Sequence, residues 1–190
     1  MIVEALASAR STGQKLPVVY NTSGFERFET VRALAGTVDV YLTDLRYASS
    51  EAAASGSDAA AYVTCARGAL LEMWRQAGPL LVDAEGIAVR GVICRLLILP
   101  GLAREACASL EWLVEQVGSK MAVSVMAQYT PTLRTVGRPA WNRAITRAEY
   151  EIVCQTVKRV GLKEGWIQDF SAARDSKLAG FNMMPLRKTE

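Results

Sequence analysis

Asp44 and Arg46 close the stretch VDVYLTDLRY, residues 38–47, and are the residue types in this 190-residue chain best placed to do chemistry. Side chains alternate along a strand, so a carboxylate and a guanidinium two positions apart point to one face, with Leu45 on the other. Together they would hold a ligand that carries both an ammonium and a carboxylate, each charge meeting its opposite. That is an amino-acid head group. The other reading of the same pair is an ion pair at the edge of the core that only orders a loop.

Further candidates lie where other apolar runs end. Asn21, Thr22 and Ser23 follow LPVVY at residues 16–20, and Gln128 and Tyr129 follow the run at 121–127. Arg95 sits inside VRGVICRLLIL, residues 89–99. Burying an unpaired charge costs several kcal/mol at least, so Arg95 is either paired in the core or faces a solvated cavity. In parallel α/β folds ligands bind beyond the carboxyl ends of the strands, which is where most of these residues fall.

Composition removes other chemistries. The sequence has no histidine, which excludes the commonest general base, the Ser/His and Cys/His dyads and most zinc sites. The four cysteines, at 65, 94, 107 and 154, form no CxxC or CxxxC pair, so no local zinc knuckle or cluster loop is expected, and free thiols in a cytoplasmic setting are. The net charge of +3 is spread out, apart from Arg187 and Lys188, and leaves no footprint for nucleic acid. Residues 1–10 are too short and too charged for a signal peptide, and no apolar run approaches the ~20 residues of a membrane span. Apolar residues at 51% supply a core for one domain.

The elements that must position these residues alternate in type. A helix is expected from the first residue to Ala9, without a cap, then a buried strand over 16–20. Ser23 and Glu26 fit a capping box for a helix that buries Phe28, Val31 and Leu34 and stops at Gly36. A second strand spans 38–42, and residues 48–61, rich in Ala, Ser and Gly, read as a loop with a frayed helical piece. Asp58 would cap a crossover helix running to Gly78, and strands over 89–99 and 121–127 flank a helix over 103–117. Residues 129–145 form a long linker, Thr146 and Glu149 a second capping box, and Trp166 and Ile167 pack on the sheet. Residues 1–168 thus read as one α/β unit with a parallel sheet, and 169–190 as a polar tail.

VVYNTSGFERFETVRAL, VDVYLTDLRY, ALLEMWRQAG, CRLLILPG and VSVMAQYTP, in this order and spacing, resemble the carboxyl-terminal part of radical S-adenosylmethionine proteins similar to the pyruvate formate-lyase activating enzyme. Each segment alone is weak, but five in one order are specific. The resemblance runs from the first residues to Trp166 and Gln168. It implies a partial parallel (β/α) barrel, here about four βα units of a six-strand barrel. It also implies a [4Fe-4S] cluster that cleaves S-adenosylmethionine to a 5'-deoxyadenosyl radical. By motif, Thr22 and Ser23 resemble positions at the methionine end of the cofactor, and Asp44 and Arg46 match an Asp-Leu-Lys motif that contacts its amino and carboxylate groups. Arg95 matches an arginine on the next strand, and Gln128 with Tyr129 the final strand end.

The departures bear on activity. The family's CxxxCxxC loop and its glycine-rich GGEP-type strand are absent, and the motif lysine is Arg46, which keeps the charge but changes its reach. Histidines that relatives carry are replaced by Trp74 and Leu96. The expectation is a fragment, from an internal start or a truncated gene, that holds the last four strands and makes no radical alone. Two alternatives are a half-barrel that complements a separate amino-terminal, cluster-carrying chain, and a non-catalytic domain that binds S-adenosylmethionine. The partners implied are that missing half and a protein substrate.

Overall fold

Strands that pair in parallel need crossovers, which amphipathic segments of helix length between β-branched runs supply. The computed structural model, which describes residues 2–11, 13, 17–173 and 183–186, has this arrangement. In chain order the elements are α1 (Ile2–Ser11), β1 (Val19–Thr22), α2 (Phe28–Ala33), β2 (Val40–Asp44), α3 (Ser50–Ser57), α4 (Tyr62–Ala77), β3 (Leu81–Val82) and β4 (Ala88–Leu97). They continue with α5 (Ala103–Val117), β5 (Ala122–Met126), α6 (Arg147–Arg159), β6 (Gly165–Gln168) and β7 (Met183–Pro185). Short 3-10 turns lie at Leu133–Thr135 and Phe170–Ala173.

The seven-stranded sheet has the order β1-β2-β4-β5-β6-β7, with β3 hairpinned on β4. Neighbours from β1 to β6 pair in parallel, while β3 and β7 are antiparallel to β4 and β6. The parallel strands follow chain order without reversal. Right-handed crossovers therefore place every connecting helix on the same face. Packing agrees with this: α2 lies on α4, α4 on α5 and α5 on α6, a continuous helical layer.

That layer covers one face of the sheet. Tyr41, Val92, Cys94, Leu96, Val123 and Val125 project into it and meet Leu70, Met73, Leu110, Leu113, Val153 and Val157, all of them buried. The opposite face carries the other side-chain set and is only half-covered: Leu42, Arg95, Leu97, Ser124, Met126 and Trp166 are all of intermediate exposure. Among the described residues no helix is long and apolar enough to cross a membrane.

Several sequence expectations are corrected. β1 starts later than residue 16 and takes in Asn21 and Thr22, and it is an exposed edge with Val19 at 53% exposure, because β2 pairs it on one side only. The Ser23–Glu26 capping box does not form: Glu26 instead accepts hydrogen bonds from Thr22 Oγ1 at 2.6 Å and Tyr20 Oη at 3.1 Å, and α2 starts at Phe28, which is exposed. Asp58 does not cap α4 but ends α3 in the left-handed region at φ 52°, a conformation that Asp tolerates. Trp166 and Ile167 belong to β6, a fifth parallel strand where four were expected. Within the expected tail, Met183–Pro185 returns to the sheet as β7, and residues 174–182 and 187–190 lie outside the described part. The Thr146–Glu149 capping box forms as read.

Candidate functional site

Asp44 is the last residue of β2 and Arg95 its register partner in β4. The ladder continues the row: Arg95 pairs with Ser124 in β5, and Ser124 with Trp166 in β6. In a parallel sheet, residues in one register row share a face. Asp44, Arg95, Ser124 and Trp166 therefore form one band across the half-covered face, near the carboxyl ends of the strands. The carboxylate is buried, while the other three are partly accessible.

Asp44 is held from both sides. Its Oδ1 accepts from Arg95 Nε at 2.6 Å, and its Oδ2 from Arg46 Nη2 at 2.8 Å and Arg46 Nε at 3.2 Å. Both guanidiniums keep part of their surface in solvent, with side-chain exposures of 40% for Arg46 and 24% for Arg95. Burial pulls the Arg46 guanidinium down, but its hydrogen bond to Asp44 and that carboxylate's charge outweigh this and leave it raised. Two cations on one anion leave a net positive charge at the strand ends. A carboxylate also has about four lone-pair positions, so an ammonium can still approach it.

Tyr62, from the first turn of α4, ties the surrounding backbone together. Its hydroxyl reaches the carbonyl oxygens of Ser23 at 2.8 Å and Asp44 at 3.2 Å, and accepts from the Arg46 amide at 3.2 Å. Burial of its ring pushes the phenol well above its ordinary value of 10.0, so it works as a neutral hydroxyl. Downstream, the Glu105 carboxylate accepts from the amides of Ala48 and Ser49, both at 2.8 Å. The sequence reading missed Tyr62, Glu105, Ser124 and Trp166. Register alone could have placed the last two, had β6 been recognised as a strand.

The remaining candidates divide. Asn21 is exposed on the edge strand, on the same face as Leu42 by register. Thr22 is buried on the helical face beside Glu26 and does not join Asp44. Ser23 contributes its carbonyl to Tyr62. Gln128 accepts from Gln168 Nε2 at 3.0 Å, and Gln168 Oε1 accepts from the Ala127 amide at 2.9 Å, which ties the ends of β5 and β6 together. Cys94 adjoins Arg95 in sequence but faces the helices, where burial raises its thiol and the Asp44 charge adds to the effect; it is an inert core thiol. Among the described residues no three His, Cys, Asp or Glu side chains gather as a metal-ligand set.

Beside this cluster a cavity of about 670 Å³ opens between α3, the strand ends and residues 129–141. Arg46 and Tyr47 line it from the segment after β2, Leu97 and Leu99 from the end of β4 and just past it, and Tyr129 from the segment after β5. Trp141 closes it over α3: the Tyr129 hydroxyl donates to the Trp141 carbonyl oxygen at 2.9 Å, and the two rings lie 6.4 Å apart. Gly56 explains the composition of α3. A Cβ there would come within 2.8 Å of the Trp141 ring, so the glycine's helix penalty of about 1 kcal/mol is offset by this close approach.

No protein-family model matches the chain, and no solved structure matches it. It is similar to the uncharacterized protein MJ0674 of Methanocaldococcus jannaschii, with 26% identity over 149 residues. That alignment takes in 78% of this chain and 40% of the relative, so the chain spans well under half of that protein's length.

Proposed function

We propose that the chain is the carboxyl-terminal part of a radical S-adenosylmethionine barrel of the pyruvate formate-lyase activating enzyme-like type. In this reading Asp44, Arg46 and Arg95 hold the methionine end of S-adenosylmethionine. The observation that carries it is the Asp44 carboxylate held between two partly exposed guanidiniums at the carboxyl ends of parallel strands. Strand order supports the barrel: five parallel strands in chain order, with helices on one face and a half-covered polar and apolar face opposite, suit a curved partial barrel.

The donor set fits the head group. The ligand carboxylate would take guanidinium N–H groups of Arg46 and Arg95 that face solvent, and its ammonium the one lone-pair position of Asp44 that its three hydrogen-bond donors leave. Tyr62 fixes the backbone of Asp44 and Arg46, and so orients both side chains before a ligand arrives. In proteins of this type a [4Fe-4S] cluster supplies the electron that cleaves the bound cofactor. The described residues offer it no ligand set, so this chain's residues hold and orient the head group, and a cluster-bearing segment and a protein substrate are the partners the reading calls for.

Calorimetric titration of the chain with S-adenosylmethionine tests this. Saturable binding that Asp44→Asn abolishes is expected; no heat of binding at about 1 mM ligand removes the reading.

A further inference from the structure

The 670 Å³ cavity is within the range of small-molecule sites, yet the residues that hold Asp44 contribute only Arg46 to its wall. Its charge is one-sided. Arg46, Arg134 and Arg138 line it against one acid, Asp58, and Arg46 already has Asp44 as its partner. Among the described residues the Arg138 guanidinium donates only to the Ser55 carbonyl oxygen, at 3.3 Å. The Arg134 guanidinium has no hydrogen bond or ion pair among the described residues. Two guanidiniums thus line one cavity whose single carboxylate, Asp58, is ion-paired with neither of them.

The rest of the wall mixes small and hydroxylated residues with apolar groups, among them the rings of Trp141 and Tyr129, tilted 57° to each other, and Leu97 and Leu99. A planar body could lie against the Trp141 ring while an oxyanion takes the guanidinium forks, which match carboxylate and phosphate geometry in two-point contact. A neutral planar molecule would gain the stacking but leave both cations unpaired.

We propose that this cavity is a second ligand site that takes a planar molecule bearing a carboxylate or phosphate, recognised by Arg134 and Arg138 and stacked on Trp141. If the S-adenosylmethionine reading holds, this is the substrate site beside the cofactor head group; the cavity chemistry itself stands without that reading. Two guanidiniums on residues 134 and 138, both exposed, can be changed with little effect on the core.

The probes are 2-naphthoate, 1-naphthyl phosphate and neutral 2-naphthamide, each titrated into the full chain by calorimetry. Both anions are expected to bind at least about tenfold more tightly than the amide. Arg134→Gln/Arg138→Gln should erase that preference while leaving amide binding and the thermal unfolding midpoint unchanged; the tighter of the two anions identifies the oxyanion. Equal binding of amide and anions, or a preference that survives the double substitution, overturns the proposal. S-adenosylmethionine is titrated into the same proteins. Anion binding without S-adenosylmethionine binding fails only the cofactor reading, and S-adenosylmethionine binding without anion selectivity fails only this one.

Discussion

Asp44 and Arg95 are register partners across the parallel β2–β4 ladder, and the Arg95 Nε donates to Asp44 Oδ1 at 2.6 Å. A lone arginine within an aliphatic strand is thereby neutralised by the strand beside it. Asp44→Asn removes the counter-charge from both Arg95 and Arg46. The expected loss is about 1–3 kcal/mol, below the cost for a fully buried pair because Arg46 keeps 40% of its surface in water. Urea denaturation measures it. Asp44→Asn/Arg95→Leu should recover part of the loss, and strictly additive losses would show that the two residues are not coupled.

Tyr62→Phe deletes one hydroxyl and leaves the ring in place. The Arg46 amide loses its acceptor and the Ser23 carbonyl its donor, for an expected cost of about 1–2 kcal/mol. If the head-group reading holds, affinity for S-adenosylmethionine also falls, since the clamp loses its backbone anchor. An unchanged urea midpoint would contradict the structural half of this expectation.

Glu72 and Glu149 are held at about 2 against an ordinary 4.5. The Arg75 guanidinium is the main cause for Glu72, and Arg143 for Glu149, each partly opposed by burial. A carboxyl depressed in the folded state adds stability that is complete above its unfolded value and disappears as pH falls through the folded one. Stability should therefore drop between pH 4.5 and about 2, a slope that Glu149→Gln reduces. Urea midpoints across that window decide it, and a midpoint that rises on acidification would contradict the assignment.

Gly24 has φ +82° and turns the chain from β1 toward α2. A Cβ there would run into the carbonyl of Asp44, which is backbone and cannot step aside. Gly24→Ala should cost more than about 1 kcal/mol, from the left-handed φ and the clash together. Thermal unfolding would register it, and an unaffected midpoint would mean that the turn is not packed against Asp44.

Asp44 and Arg46 were legible because their spacing and the apolar run before them fix a common face regardless of tertiary detail. Arg95 was legible for a different reason: an arginine among aliphatics must find a partner or water. Thr22 was misplaced because strand ends near Gly, Ser and Thr slip by a residue or two, and one residue of slip turns a side chain to the other face. Glu26 accepts from the Thr22 and Tyr20 hydroxyls of β1 rather than from a helix-cap amide, a competition between nearby donors that spacing cannot decide. Ser124 and Trp166 had no local mark at all. Their membership in the Asp44 row follows from the pairing of β4, β5 and β6, which is a property of the sheet and not of any one segment.

Glu105 stands in the first turn of α5, yet its carboxylate holds the amides of Ala48 and Ser49, just past the arginine clamp. The peptide from Asp44 to Ser49 is therefore pinned at both ends, by β2 pairing on one side and by a neighbouring helix on the other. A small tilt of α5 would act on Arg46 as on a lever with a short arm. Whatever presses on that helix has a mechanical route to the carboxyl ends of the strands.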